Sequence, residues 1–275
     1  MSTSVIKLGG NVLNEEAVLD PLLEALHTFT RNGHNVIIVH GGGSQADQLH
    51  EELGVPIEKV NGRRITDAES LEISKMVYRG TLNVDLVADC LAHDIRAAGI
   101  TGVDANTVMV EKRPPMKMDR GNAAGDSDPV DFGFVGDIVT VNPELIQSLL
   151  EQGTVPVVGC LAVDENGQVY NVNADTLAAA IASDLLVDRL VYVSSVPGIL
   201  KHKNAEESLS HVTMDEAKSM IKDGTITEGM IPKMDSTEQA LDGGVEEVLI
   251  TGSLESVEDW EDTILNSTHG TTITA

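Results

Sequence analysis

The chain has 275 residues, of which 41% are hydrophobic and 3% aromatic, so we expect a core of aliphatic side chains in one large α/β unit or two closely joined lobes. Lysine and arginine number 18 against 44 aspartates and glutamates, which gives a net charge of −26. Such an acidic chain repels nucleic acid and anionic membranes, and a site for any anionic small molecule must supply its own positive field.

The cysteine content and the hydropathy pattern favour a cytoplasmic protein. Cys90 and Cys160 lie in apolar runs without the spacing of a zinc site, so we expect neither a disulfide framework nor a metal centre. Residues 1–6 lead directly into a strand-like run rather than a signal peptide, and the apolar stretches are too short to cross a bilayer. The acidic balance is either a surface suited to solubility or an adaptation to a high-salt cytoplasm, where self-repulsion is screened.

The first third of the chain alternates strands, glycine loops and helices. Residues 4–8 are predicted to form a short strand, and residues 35–40 are a nearly all-apolar run typical of a parallel strand covered on both faces; glycines follow each of them. A helical pattern follows each loop, and Ser44 is the expected cap of the second helix. From residue 67 a helical pattern extends to about residue 98, with a bend or interruption at Gly80.

The rest of the chain continues this alternation. Residues 107–112 and 134–141 are predicted strands on either side of residues 114–130, a polar stretch interpreted as a long exposed hairpin loop. Further strands are predicted at residues 155–159, 189–194, 247–251 and 270–274, with helices at residues 174–183, 213–223 and 232–241. Strands that alternate with helices imply a doubly wound, mostly parallel sheet, in which ligands bind beyond the carboxyl ends of the strands.

Two glycine loops at those strand ends have properties of anion sites. Lys7 stands in an apolar strand just before Gly9 and Gly10, and an unpaired buried lysine is costly, so it points either to solvent or to an anion. Residues 41–43 are glycines before a helix, which offer backbone N–H groups and a helix N-terminus to an anion. This loop matches neither the Walker pattern nor the dinucleotide fingerprint. His40, which precedes it, is interpreted as a structural histidine.

Three further side chains are candidates for chemistry. Lys233 follows a proline suited to a helix's first turn, where a cation is unfavourable unless an anion lies nearby, and a surface lysine is the alternative. Arg64 offers a planar fork to a carboxylate or, alternatively, pairs with a surface acid. Asp175 either complements a helix dipole or orients a catalytic lysine. Two lysines, N–H donors and an organising aspartate together favour phosphoryl transfer, which needs positioning and charge neutralisation.

These residues occur in motifs that resemble those of a known family. The motifs are KLGGN at residues 7–11, HGGG at 40–43, NGRRITD at 61–67, NVNADT at 171–176, VPGIL at 196–200 and GMIPK at 229–233. In this order they resemble the N-acetylglutamate kinases of the amino acid kinase family. The resemblance implies a three-layer αβα sandwich with a central, mostly parallel sheet. Residues 1–170 would form an N-terminal lobe for substrate binding and dimerisation, and residues 171–275 a C-terminal lobe for ATP binding.

The resemblance also implies a reaction and the residues that perform it. ATP, with Mg²⁺ held mainly by its phosphates, would phosphorylate the γ-carboxylate of N-acetyl-L-glutamate in the second step of arginine biosynthesis. The implied catalytic residues are Lys7, Lys233 and Asp175; the implied substrate-binding residues are Gly42, Gly43, Arg64 and Asn171; and Gly9 and Gly10 would bind phosphate through their backbone. The implied nucleotide-binding residues are Ser195, Val196, Pro197, Gly198, Ile199, Leu200, Thr225, Ile226 and Thr227.

Two departures from the family pattern leave alternatives open. Residues 114–130 are long and acidic for a hairpin that covers the substrate, so N-succinyl-glutamate or a carrier-linked aminoadipate or glutamate are alternative acceptors. A carbamate kinase, a uridylate kinase or a non-catalytic nucleotide or arginine sensor of the same fold are further alternatives. Lys7 lies near the terminus, without room for the N-terminal helix of arginine-inhibited hexamers. We therefore expect a homodimer, formed through the helical region at residues 67–98, with weak or no arginine feedback.

Overall fold

A computed structural model of the chain describes residues 2–60, 62–117, 129–202, 205, 207–227 and 229–275. The strands are β1 (Thr3–Leu8), β2 (Asn35–His40), β3 (Lys59–Val60), β4 (Arg63–Arg64), β5 (Ala97–Thr101), β6 (Val108–Lys112), β7 (Gly136–Val141), β8 (Val155–Gly159), β9 (Leu161–Val163), β10 (Val169–Asn171), β11 (Arg189–Val193), β12 (His211–Thr213), β13 (Glu247–Thr251) and β14 (Thr271–Thr274). The α-helices are α1 (Glu16–Arg31), α2 (Gly43–Leu53), α3 (Ala68–Ser74), α4 (Asn83–Ala92), α5 (Glu144–Glu151), α6 (Ala174–Asp184), α7 (Met214–Lys222), α8 (Ile231–Asp242) and α9 (Val257–Asn266), and a π-helical segment (Lys75–Leu82) joins α3 to α4.

A large sheet forms the centre of the molecule, with its strands in the order β12-β14-β13-β11-β1-β2-β8-β5. Neighbouring strands are parallel, except that β13 and β14 are antiparallel. The strands from residues 1–170 lie on one side of the β1–β11 pair and the strands from residues 171–275 on the other. A smaller sheet, β10-β9-β6-β7, and the short hairpin β3-β4 complete the described sheet structure.

Alternate side chains of the central strands enter hydrophobic clusters on opposite faces of the sheet. Ile6 and Leu8 pack with residues of α1, α4 and α9 on one face. Val5 and, from β11, Tyr192 pack with residues of α6 and α8 on the other face. Helices on both faces give three layers, so the predicted αβα sandwich is confirmed. Since side chains alternate along a strand, Lys7 is directed to the same face as Val5, toward α6 and α8.

The helical region after β4 differs from the prediction. The helix that runs through α3, the π-helical segment and α4 ends at Ala92, and Ala97–Thr101 is an edge strand paired with β8. The alanine-rich sequence before Gly99 favours a helix locally, but pairing with a neighbouring strand overrides this propensity. Gly80 lies inside the π-helical segment, so the helix continues through it. Ser44 lies within α2, and the capping position belongs to Gly42.

Other differences concern connecting segments. The hairpin predicted at residues 114–130 lies largely outside the described residues, although Met116 and Val130 at its base exchange backbone hydrogen bonds of 3.0 and 2.8 Å. Asn61 of the NGRRITD motif also lies outside them. The prediction missed the helices α5 and α9 and the short strands β3, β4, β9, β10 and β12. Among the helices of the described residues, none is both long and apolar enough to cross a membrane.

Gly133 lets a loop pass very close to Thr66, so we expect a side chain at this position to destabilise the fold. Its φ is +71°, and a Cβ there would lie 2.2 Å from Thr66 O. Gly133→Ala should lower the free energy of unfolding by about 3 kcal/mol, because it adds both a left-handed alanine and a steric overlap. Denaturant unfolding measures the loss.

Gly167→Ala is the matched control for this substitution. Its φ is +81°, but no heavy atom lies within 4 Å of the added Cβ. It should therefore lower the free energy of unfolding by about 1–2 kcal/mol, the cost of the left-handed conformation alone. Equal losses in the two variants would contradict the importance of the contact with Thr66.

Candidate active site

Three charged side chains meet at the carboxyl end of β1. Lys7 Nζ lies 2.8 Å from Asp175 Oδ1, and Lys233 Nζ lies 2.9 Å from Asp175 Oδ2. Strand alternation directs Lys7 to this face, while Asp175 lies in the first turn of α6 and Lys233 in the first turn of α8. All three side chains are largely buried. One carboxylate is thus shared by two ammonium groups, and the cluster keeps an excess of positive charge.

The ionisation of this cluster follows from its burial and its charges. Burial alone would raise the pKa of the Asp175 carboxyl, but the charges of Lys7 and Lys233 outweigh burial and hold that pKa below its ordinary value of 3.8. Burial lowers the pKa of Lys233, although Asp175 opposes the shift. A shared anion therefore keeps two buried lysines together where neither would be stable alone.

Tyr192 supports the cluster from β11, and the sequence analysis did not identify it. Tyr192 is the register partner of Lys7 in the neighbouring strand. Its ring centroid lies 4.3 Å from Lys233 Nζ, and its hydroxyl donates to Asp175 O at 3.2 Å. A buried tyrosine in an apolar strand looks like an ordinary core residue. Tyr192 could be identified only from its pairing in register with Lys7, and the sequence alone does not reveal that register.

The cluster borders a cavity of about 610 Å³ on which three helix N-termini converge. Gly43 of α2, Ala174 of α6 and Pro232 of α8 all line this cavity. The N-terminus of an α-helix carries a partial positive charge and orphan N–H groups, so each favours an anion in the cavity. These local charges supply the positive field that the acidic chain otherwise lacks.

The predicted phosphate-binding and substrate-binding glycines form two adjacent loops, of which the second, with Gly42 and Gly43, lines the cavity. Gly9 and Gly10 follow β1, while Gly42 precedes α2 and Gly43 begins it. Gln45 bridges the loops, since its Nε2 donates to Gly10 O at 2.6 Å. An added Cβ at Gly10 would lie 2.7 Å from Gln45 Oε1, and one at Gly42 would lie 2.4 Å from a side chain of the π-helical segment. A side chain at Gly10 would therefore press against the second loop, and one at Gly42 would overlap the π-helical segment.

Arg64 lies on the wall of the cavity and already has an acidic partner. Its Nη2 donates to Asp47 Oδ1 at 2.5 Å and to Gly43 O at 2.9 Å. Within the part of the chain that the structure describes, its buried Nη1 has no acceptor. Arg64 therefore pairs with an acid, as one of the two interpretations of this residue predicts. Nothing in the sequence singles out Asp47, because many acidic residues are equally plausible partners of Arg64.

Asn171 also lies at the cavity, at the end of β10. Its Nδ2 donates to Thr66 Oγ1 at 3.3 Å, and its backbone N–H donates to Phe134 O at 2.9 Å. The cavity is further lined by Arg113 and Asp137, which form an ion pair of 2.6 Å that the sequence analysis did not identify. The structure thus brings Asn171 to the same cavity as Arg64, Asp175 and the Gly42–Gly43 loop.

The predicted nucleotide-binding residues lie in two loops of the C-terminal part. Residues 195–200 follow β11 at the carboxyl edge of the sheet, and residues 225–227 follow α7. Thr227 O accepts from Ile231 N at 3.2 Å, so the second loop adjoins the turn of α8 that carries Lys233. Neither loop contributes to the described lining of the cavity. Residues 225–227 therefore adjoin the helix that carries Lys233, while neither loop lines the cavity with Gly42 and Gly43.

Comparison with known proteins identifies the family. The model of the amino acid kinase family matches residues 2–252. The chain belongs to the amino acid kinase family. A protein of Anaeromyxobacter sp. (strain Fw109-5) that is named acetylglutamate kinase is 42% identical over 255 residues, which are 92% of each chain. An acetylglutamate kinase of Methanopyrus kandleri is 38% identical over 95% of this chain and 99% of its own.

A solved structure supports the same assignment of the fold. The smu.665 protein from Streptococcus mutans UA159 superposes with a TM-score of 0.79, at 27% sequence identity. The match covers 99% of this chain and 98% of that one. The amino acid kinase fold of this chain thus agrees with both its sequence relatives and its architecture.

The shared carboxylate generates the second prediction. Asp175→Asn should lower the free energy of unfolding at neutral pH by about 3–5 kcal/mol, because two buried ammonium groups would lose their counter-ion. The pKa of Asp175 lies below 3.8 in the folded protein, so its contribution is present above that pH and is lost as the pH falls through the lowered pKa. The stability difference between wild type and variant should stay constant down to about pH 4 and narrow below it.

Asp131→Asn is the control, since Asp131 pairs with Lys112 at 2.9 Å on the surface. Its stability should remain close to that of the wild type, because exposed ion pairs contribute little. Chemical denaturation across a pH series measures both variants. A stability for Asp175→Asn equal to that of the control would refute a shared counter-ion.

Proposed function

We propose that this protein transfers the γ-phosphate of ATP to the γ-carboxylate of N-acetyl-L-glutamate, giving an acyl phosphate. The observation that carries the proposal is the pair of buried lysines on one carboxylate, beside a cavity where three helices begin. Relatives named acetylglutamate kinase, similar over almost the whole chain, support this acceptor. The other kinases of the fold, the alternative acyl acceptors and the non-catalytic sensor are not favoured.

The proposed mechanism depends on charge neutralisation at the transferring phosphoryl group. Lys7 and Lys233 would approach its oxygens from two sides, and Asp175 would hold both ammonium groups at the required separation. The backbone N–H groups of the two glycine loops would donate to phosphoryl oxygens or to the acceptor carboxylate. The acceptor is already ionised at neutral pH, so the transfer needs no general base.

The acceptor would bind on the N-terminal side of the cavity. Arg64 directs a buried donor that has no acceptor within the described residues, and a substrate carboxylate would satisfy it. Asn171, which lines the same cavity, would contact the acyl-amide region. Asp47 holds the guanidinium in place through its Nη2. These contacts would place the γ-carboxylate between the glycine loops and the lysines.

The nucleotide would bind on the C-terminal side, against residues 195–200 and 225–227. This division corresponds to the proposed lobes, residues 1–170 for the acceptor and residues 171–275 for ATP. Both oxygens of Asp175 are occupied by lysines, and the described residues contain no cluster of three potential metal ligands. We propose that Mg²⁺ would be held mainly by the phosphates of ATP, where it would neutralise phosphate charge. A cytoplasmic location is proposed with the biosynthetic reaction.

The third prediction tests the reaction itself. MgATP and N-acetyl-L-glutamate should yield an acyl phosphate that hydroxylamine traps as a hydroxamate, measured in KCl from dilute to molar. Lys233→Met should lower kcat by about 10²-fold, the scale of a lost electrostatic stabiliser. Lys222→Met, at an exposed lysine in the last turn of α7, should retain wild-type turnover. Faster hydroxamate formation with N-succinyl-glutamate would show that the acceptor is N-succinyl-glutamate rather than N-acetyl-L-glutamate. A wild-type kcat in Lys233→Met would contradict the proposed catalytic role of Lys233.

We further propose that the protein is a homodimer formed through the helix after β4. Met76, Val84 and Leu91 are exposed apolar residues at helical spacing along the π-helical segment and α4. The neighbouring strand β5 is the edge of the large sheet, so its outer hydrogen-bonding groups are available to a second copy. An apolar helix face beside an open sheet edge is a surface that association would cover.

The fourth prediction tests this dimer with two matched leucines. Leu91 and Leu265 are each the last residue but one of a ten-residue helix, and they are 58% and 48% exposed. Leu91→Glu should give a particle of 29.2 kDa in sedimentation equilibrium, because a charge would be buried at the interface. The wild type and Leu265→Glu should sediment at twice that mass. A hexamer, or a dimer that persists in Leu91→Glu, would contradict the proposed interface.

A further inference from the structure

His40 is the last residue of β2 and is fully buried next to the glycine loop. Strand alternation gives it the same direction as Ile38, so its imidazole points to the face opposite that of Lys7. It therefore takes no part in the chemistry proposed above. Burial lowers the pKa of His40 to about 4, partly opposed by its hydrogen bond to Gly41, so the ring is neutral at physiological pH.

The neighbours of Asn83 determine which nitrogen of the His40 imidazole donates a hydrogen bond and which accepts one. Arg79 Nη1 lies 2.8 Å from Asn83 Oδ1, and a guanidinium can only donate, so the amide oxygen must face the arginine. Asn83 Nδ2 lies 2.9 Å from Val157 O and 3.1 Å from His40 Nε2. The amide therefore donates one hydrogen to the carbonyl and the other to the imidazole. It follows that His40 Nε2 accepts and carries no proton.

The remaining ring nitrogen then fixes the glycine loop. A neutral imidazole without a proton on Nε2 carries it on Nδ1, which lies 2.9 Å from Gly41 O and donates to it. In a trans peptide the carbonyl and the following N–H point in opposite directions. Since the Gly41 carbonyl points toward His40, the N–H of Gly42 points away from it, on the side of the cavity that Gly42 lines.

Two glycines on neighbouring strands make room for this network. A Cβ at Gly99 of β5 would lie 2.0 Å from Asn83 Oδ1. A Cβ at Gly159 of β8 would lie 3.3 Å from His40 Nε2. A buried histidine that served only to fill space would need neither the amide nor these gaps, and an aliphatic side chain would avoid the cost of desolvation. The network therefore has a directional purpose.

We propose that His40 and Asn83 are positioning residues that direct the Gly42 N–H toward the oxygens of the bound anionic substrate. No backbone hydrogen bond among the described loops uses this N–H, so it is available to a ligand. The kinetic consequence rests on the proposed function, whereas the direction of the peptide rests on geometry alone. Asn83 is the first residue of α4, so it affects the reaction only indirectly, through its hydrogen bond to His40.

The kinetic test compares His40→Leu with His40→Asn. Leucine removes the donor to Gly41, whereas the amide nitrogen of asparagine lies near the place of Nδ1 and preserves it. His40→Leu should lower kcat about tenfold, less than the 10²–10³-fold loss of a direct oxyanion donor, with a smaller change in KM. His40→Asn should restore most of kcat. Wild-type kcat in His40→Leu, or equal losses in both variants, would overturn the proposal.

His50→Leu is the matched control, because His50 is equally buried but lies within α2, with its Nδ1 3.3 Å from Val55 O. It should lose stability without a change in kcat. If the wild type forms no hydroxamate, the proposed function fails, and the inference is then decided by a second measurement on the wild-type protein.

That measurement is the tautomer of His40 from two-bond ¹H–¹⁵N correlations of the wild-type protein, assigned by the signal that His40→Asn removes. We expect a proton on Nδ1 and none on Nε2, at neutral pH and at pH 5. The same spectrum in Asn83→Leu should show loss of this single tautomer, because the donor to Nε2 is absent. A proton on Nε2 in the wild type would overturn the inference, whatever the protein phosphorylates.

Discussion

The site depends on the ion pairs that Asp175 forms with Lys7 and Lys233, because this carboxylate holds together two buried cations that would otherwise repel one another. It can do so only if β1, α6 and α8 are fixed relative to each other. The parallel pair β1–β11 and the contact between α6 and α8, where Thr176 Oγ1 lies 3.3 Å from Ser236 Oγ, provide that rigidity. One carboxylate neutralises only one of the two ammonium charges, so the cluster keeps a positive charge that would attract an anion.

The alternation of side chains along the central strands separates two tasks. Lys7 points to the face of α6 and α8, where charge is neutralised, while His40 points to the face of α4. The peptide between Gly41 and Gly42 connects the two faces. Because this peptide is planar and trans, a carbonyl held toward one face directs the following N–H toward the other. Glycine suits this position because the side chains of the π-helical segment lie against it. The geometry of one loop is thus set by residues that never meet the substrate.

The sequence predicted local features well and nonlocal partners poorly. Lys7, the glycine loops and Lys233 were identified because each stands beside a strand end or a helix start, which hydrophobic periodicity and turn residues reveal. The prediction that the helix extends to about residue 98 was wrong, since an alanine-rich strand looks helical until its neighbouring strand is known. Three interactions depend on strand register and on packing, which no single segment of the sequence specifies. They are Arg64–Asp47, His40–Asn83 and the contact of Tyr192 with Lys233.

The net charge of −26 raises the question of how anions bind at all. Two lysines with one aspartate and three helix N-termini form a positive field, but it acts over the few Å of a buried site, where solvent screens weakly. The surface carboxylates act over longer distances through water, so they oppose the approach of an anion more than its bound state. Salt shortens that range to about 3 Å at 1 M and leaves the buried contacts nearly unchanged. An acidic surface and an anion-binding site are therefore compatible, and most so at high ionic strength.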